Sequence, residues 1–121
     1  MPAAATLDDF IATVERGEHV EAIERFYTAD AMMQENHAPP RVGREALIAH
    51  ERRALSRVLA VVSECVRPAF VDGDHVVIRW IFVFHRPEGR GMRIEELAYQ
   101  RWKGDKIAQE QFFYDPVQFK S

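Results

Sequence analysis

Three carboxylates, Glu35, Glu96 and Asp115, are the candidates for acid–base chemistry. A carboxyl enclosed by apolar side chains is costly to ionise, so its pKa climbs toward neutrality, where it can take up and return a proton. Glu96 and Asp115 are linked by strand parity. Taking Gly104-Asp105 as a two-residue hairpin turn sets Trp102 opposite Ile107, Gln100 opposite Gln109, Ala98 opposite Gln111, Glu96 opposite Phe113 and Ile94 opposite Asp115. One face then carries Trp102, Ile107 and Phe113 together with Glu96, Asp115 and three glutamines. Burying that many polar groups costs free energy unless each finds a partner or water, so a wet cavity between helices and sheet is expected there. A one-residue slip would reverse the faces. Glu95 and Glu96 are adjacent and point to opposite faces, so only one of them enters a pocket.

Around the carboxylates lie side chains that can bind. Tyr27 closes a helix where a strand begins and has a hydroxyl to donate; His37, beside a proline-rich turn, titrates near neutrality. Trp80 and Phe82 belong to an aromatic run large enough to line an apolar pocket, and Met33 is an adaptable filler. Gln111 and Phe113 join this set through the parity argument. Each has a plainer alternative. Glu35 can be a strand glutamate paired with an arginine, Asp115-Pro116 a strand-ending turn, His37 an exposed loop residue, and the aromatic stripe core. His50, His75 and His85 read as packed or surface residues. Cys65 has no nearby base in sequence to make it a nucleophile. No Cys/His spacing suggests zinc, so neither metal nor cofactor is expected.

The elements that must position these groups follow from periodicity. In 121 residues, 47% are hydrophobic and 29% charged, a globular balance that predicts one domain over 1–121. Thr6 precedes an apolar stripe of Leu7, Phe10, Ile11 and Val14, with Gly17 placed to end the helix. A second helix is expected over 18–27, a short strand over 31–37, and a third helix from Arg44 to about Val58 with Leu47, Ile48, Leu55 and Val58 on its buried side. Four strand-like runs follow, at 60–71, 75–86, 92–103 and 106–114, separated by glycine-bearing turns. Short loops between consecutive strands mean an antiparallel meander, and three helices ahead of it mean an α+β domain with helices on one face. The run 75–86 is apolar on both faces. Val76, Ile78, Trp80, Phe82 and Phe84 point one way, Val77, Ile81 and Val83 the other. The second apolar face predicts a partner subunit, most simply a two-fold homodimer.

The order of elements and several strings resemble the NTF2-like superfamily, particularly its SnoaL-like and ketosteroid-isomerase-like branches. The strings are FYTADAMMQEN, PPRVGREALIAHE, IRWIFVF and RWKGDKIAQEQFFYDP, which together cover nearly the whole chain. The resemblance implies a cone, three N-terminal helices packed on a strongly curved antiparallel sheet, with a deep pocket at the wide end and frequent homodimers. It places Glu35 where isomerase-like members carry their proton-shuttling carboxylate. It places Asp115 where SnoaL-like cyclases carry the aspartate that closes the last strand, with Glu96 near its polar companion. Two carboxylates in one cavity push their pKa values apart, which can yield one acid and one base. The isomerase's oxyanion donors are missing, since their positions fall on Phe10 and about Ala98, and steroid isomerisation by that route is not expected.

Two readings stay open. In the first the chain is an enzyme, with Glu35, Glu96 and Asp115 as proton-transfer groups and no cofactor, acting on an apolar carbonyl or polyketide-like compound in isomerase, cyclase or dehydratase fashion. In the second the same fold binds a ligand or dimerises without turnover. A net charge of −3 argues against a nucleic-acid partner. No apolar run reaches the roughly 18 residues of a membrane span. The N-terminus lacks a leader pattern, and one cysteine fits a reducing compartment, so a cytoplasmic location is expected.

Overall fold

The computed structural model describes residues 1–89 and 91–119. Helix α1 (Ala4–Glu15) buries Leu7, Phe10, Ile11 and Val14, the expected stripe. It begins two residues before Thr6, on Ala3, with no side-chain cap. Gly17 ends the helix as expected, because the turn into α2 (His19–Phe26) needs a φ of +85°, which glycine adopts without a Cβ clash. Strand β1 (Tyr27–Glu35) starts directly at the end of α2, four residues ahead of the expected strand. The two-residue β2 (Arg41–Val42) pairs back on β1 before α3 (Arg44–Leu55). Four long strands complete the sheet: β3 (Ala60–Asp72), β4 (His75–His85), β5 (Gly91–Lys103) and β6 (Lys106–Phe113). A 3-10 turn follows at Pro116–Phe119.

The α+β class holds, with two corrections to its layout. Among the described residues the sheet has six strands in the order β2-β1-β6-β5-β4-β3, and β1 pairs parallel to β6, so the sheet is mixed. The helices are not all ahead of the sheet, because β1 and β2 come before α3. Parallel neighbours need a long connection, and here everything from β2 to β5 supplies it. No local pattern announces such a pairing.

The meander β3-β4-β5-β6 is antiparallel throughout. On β4 the inner face is the expected one: Val76, Ile78 and Trp80 are buried under the helices. Phe10 joins the layers, standing edge-on to Phe26 (5.5 Å) and Trp102 (5.9 Å). Aromatic burial of this kind contributes about 1.5–3 kcal/mol per side chain.

The β5–β6 hairpin departs from simple parity. Trp102 does face Ile107 across the Gly104-Asp105 turn, but the next pair is Arg101 with Gln109, leaving Ala108 as a bulge. One extra residue on one strand turns every later side chain to the opposite face. Glu110 and Phe112 therefore point under the helices. Gln109, Gln111 and Phe113 point away, and the Arg101 Nε–H donates to Gln109 Oε1 at 3.2 Å on the outer face. The observed partner of Gln100 is Glu110, and that of Ala98 is Phe112.

Candidate functional site

A cavity of about 500 Å3 lies between the helices and the concave face of the sheet. Phe10 and Val14 of α1, His19, Ala22 and Ile23 of α2, and His50, Glu51, Ala54 and Leu55 of α3 wall one side. The sheet contributes Trp80, Phe82 and Phe84 from β4, Ile94 and Glu96 from β5, Glu110 and Phe112 from β6, and Met33 and Glu35 from β1. Alternation along β4 and β5 delivers this lining, since every second residue faces inward. Trp80 and Phe82 stack with centroids 5.5 Å apart, which makes that wall flat and apolar.

Four carboxyl groups enter this apolar space: Glu35, Glu51, Glu96 and Glu110. Glu110 is fully enclosed and held by neutral donors. The Tyr27 hydroxyl donates to Oε1, and the Gln100 amide donates to Oε2 at 2.6 Å. Gln100 is oriented in turn by the Trp102 indole N–H, which donates to its Oε1 at 2.9 Å. Burial pushes the Glu110 carboxyl up to about 7, with the two hydrogen bonds pulling it down and Glu51 adding to the rise. Glu96 has no side-chain hydrogen bond among the described residues. Burial, followed by the negative charges of Glu110, Glu35 and Glu51, pushes it up to about 8. Glu51 is also raised, by burial and then by Glu35. The Arg41 guanidinium donates to Glu35 Oε2 at 3.0 Å, an ion pair at the cavity wall.

Of the residues singled out from sequence, Glu35, Glu96, Tyr27, Met33, Trp80 and Phe82 line the cavity. Four do not. Asp115 is exposed, and its Oδ1 accepts the Val117 N–H at 3.0 Å, which is the strand-ending turn that Asp-Pro favours. His37 is exposed and packs edge-on against Phe113 at 6.3 Å. Gln111 donates to the Asn36 carbonyl at 2.7 Å, and Phe113 is 39% exposed. The last two are on the outer face because of the Ala108 bulge.

Glu110 was missed for the same reason. Simple parity from the turn puts it outside. The adjacent Phe112 and Phe113 offer no preference between registers, and the bulge depends on the partner strand. Glu51 reads as a neighbour of His50 on a helix, and only tertiary packing turns it inward. Among the described residues no group of three His, Cys, Asp or Glu side chains is arranged to hold a metal ion.

A sequence model of the SnoaL-like domain matches residues 7–110. The chain belongs to the SnoaL-like domain family. Solved structures agree on the fold, which is NTF2-like and shared with ketosteroid-isomerase-like proteins. A proposed SnoaL-like polyketide cyclase from Mesorhizobium loti is 23% identical with a TM-score of 0.76, over 92% of this chain and 97% of that one. A hypothetical protein of ketosteroid-isomerase-like fold from Catenulispora acidiphila, solved with trimethylamine, is 20% identical with a TM-score of 0.79, over 96% and 89%. TerC co-crystallised with polyporic acid is 12% identical with a TM-score of 0.79, over 95% and 92%. None of the curated proteins matches the chain. At these identities the likeness establishes fold and leaves activity to the site.

Proposed function

We propose that this SnoaL-like protein binds an apolar carbonyl or polyketide-like compound and performs cofactor-free acid–base chemistry on it. The observation that carries the reading is the Glu96 carboxyl, which lies in an aromatic cavity with no side-chain hydrogen bond among the described residues and is raised to about 8. At neutral pH it is protonated, so it can donate to a ligand carbonyl oxygen and supply the stabilisation of a developing enolate that Phe10 and Ala98 cannot. Glu110 and Tyr27, hydrogen-bonded to each other, line the same cavity. That two structural neighbours were solved with small organic molecules supports a ligand-taking cavity.

The test is α-hydrogen exchange. A bicyclic ketone such as 2-tetralone, incubated with the protein in D2O and followed by proton NMR, should exchange faster than background. Glu96→Gln should lower that rate by about 100-fold. Background exchange with the wild-type protein removes the catalytic reading. It leaves binding without turnover, which the Glu35–Arg41 pair and the missing donors at Phe10 and Ala98 favour.

The outer sheet face supports a second copy as partner. Phe70, Val77 and Tyr99 lie in one cross-strand row, with Val62, Leu97 and Phe113 alongside, and Phe70 is 65% exposed. The Arg79–Glu95 pair crosses this surface at 2.8 Å. Sedimentation velocity should show a dimer that Leu97→Lys with Tyr99→Lys turns into monomer, and a monomeric wild type overturns it. No helix among the described residues is long and apolar enough to cross a membrane. The proposed setting is the cytoplasm, for which the buried free thiol of Cys65 is the supporting feature.

A further inference from the structure

At the wall of the cavity where helices meet sheet, three side chains from separate parts of the chain come together. His19 opens α2, Ser63 is on the inner face of β3, and Glu51 is on α3. His19 Nε2 is 3.0 Å from Ser63 Oγ. Its Nδ1 is 4.0 Å from Glu51 Oε1, beyond hydrogen-bond reach. The ring is also wedged against Phe82, with centroids 5.9 Å apart, so it has little freedom to turn. His19 and Glu51 both line the cavity, whereas Ser63 is buried behind the ring.

We propose that His19 is the base of this cavity: Ser63 accepts its Nε2–H, leaving the Nδ1 lone pair to take a proton from the carbon next to a ligand ketone. This rests on the acid–base reading of the site and adds the base to it. Two of the cavity's carboxylates serve less well in that role. Glu35 is tied to Arg41, and both oxygens of Glu110 already accept hydrogen bonds. Burial lowers the His19 pKa, with only Glu21 of its own helix opposing, so the ring is neutral near pH 7. With the ring neutral, the contact to Glu51 is no salt bridge. It becomes a favourable one when the ring is protonated.

The step balances within the site. The α C–H bond breaks and its proton goes to Nδ1. The electron pair forms the C=C bond of the enol, and the carbonyl oxygen takes the proton of Glu96. Once the proton on Nδ1 has exchanged with D2O, running the step backwards delivers deuterium to the carbon and returns a deuterated ketone, with no oxidant or further co-reactant. The substrate class is therefore an enolisable ketone, with its oxygen toward β5 and its acidic carbon toward α2.

The exchange assay with 2-tetralone tests this. His19→Gln should lower kcat about 100-fold with KM little changed, while Glu96→Gln also falls. Ser63 acts as a positioning residue. Ser63→Ala should lower kcat about tenfold and move the acidic limb of the pH profile, and Ser63→Thr, which keeps the hydroxyl, should restore both. If His19→Gln exchanges as fast as wild type while Glu96→Gln is dead, the base is elsewhere and the acid–base reading survives. If the wild type does not exchange, both fall. If His19→Gln fails to fold, Ser63→Ala decides, and an unchanged kcat and pH profile overturn the proposal.

Discussion

The raised carboxyl of Glu96 makes a prediction that needs no ligand. Its pKa moves from 4.5 to about 8 in the folded protein. Between those values the folded state holds a proton that the unfolded chain has released, so stability is greatest at low pH and is lost as pH rises toward and through 8. At about 1.36 kcal/mol per pH unit, the proton is worth about 4 kcal/mol between pH 5 and pH 9, of which about 1.4 kcal/mol falls between pH 7 and pH 9. Water in the open cavity screens part of this, so about 2 kcal/mol is the expected observable loss. Glu96→Gln keeps the shape and removes the charge. Histidines 19 and 50, lowered by burial, tilt stability the opposite way below about pH 6.5, but they are common to both proteins. The difference between wild type and variant therefore isolates the carboxyl. Urea unfolding at pH 5, 7 and 9 can be followed by the fluorescence of Trp80 and Trp102, both buried. The wild type should lose stability relative to Glu96→Gln across that range. A difference constant to within about 0.5 kcal/mol would refute the assignment of Glu96 as a desolvated, neutral acid.

Three further outcomes follow from the same geometry. Tyr27→Phe removes one of the two donors to Glu110 and should cost about 1–3 kcal/mol in urea unfolding, more at pH 9, where the carboxylate is charged, than at pH 6. Deleting Ala108 removes the bulge but keeps Gln109 opposite Arg101 and Glu110 opposite Gln100, so cooperative unfolding and native near-ultraviolet dichroism should both persist, and loss of both would refute Ala108 as the bulged residue. Trp80→Ala empties one wall of the cavity and should cost about 3 kcal/mol, with the largest tolerated ketone in the exchange assay increasing in size.

Much of the fold was legible in the sequence because its signals are local. The stripe Leu7-Phe10-Ile11-Val14, the stop at Gly17 and the Gly104-Asp105 turn depend on residues within a few positions of one another, as does the inner face of β4 from Val76 to Phe84. Period and turn chemistry determine such features before any tertiary contact forms. They also brought Glu96, Trp80 and Phe82 into the cavity, since parity along a single unbroken strand cannot drift.

What the tertiary structure alone decided lies wherever two distant segments meet. The Ala108 bulge lies where β6 is paired with β5 on one side and with the parallel β1 on the other, and it exchanged Gln111 and Phe113 for Glu110 and Phe112. Asp115 lost its place to the turn that ends the strand. The juxtaposition of His19, Ser63 and Glu51 draws on residues up to 44 positions apart, and no spacing rule joins them. A carboxyl's pKa is likewise a sum over its surroundings. Glu96 and Glu110 are ordinary glutamates in the sequence and become neutral-range acids only when the sheet and helices exclude water around them.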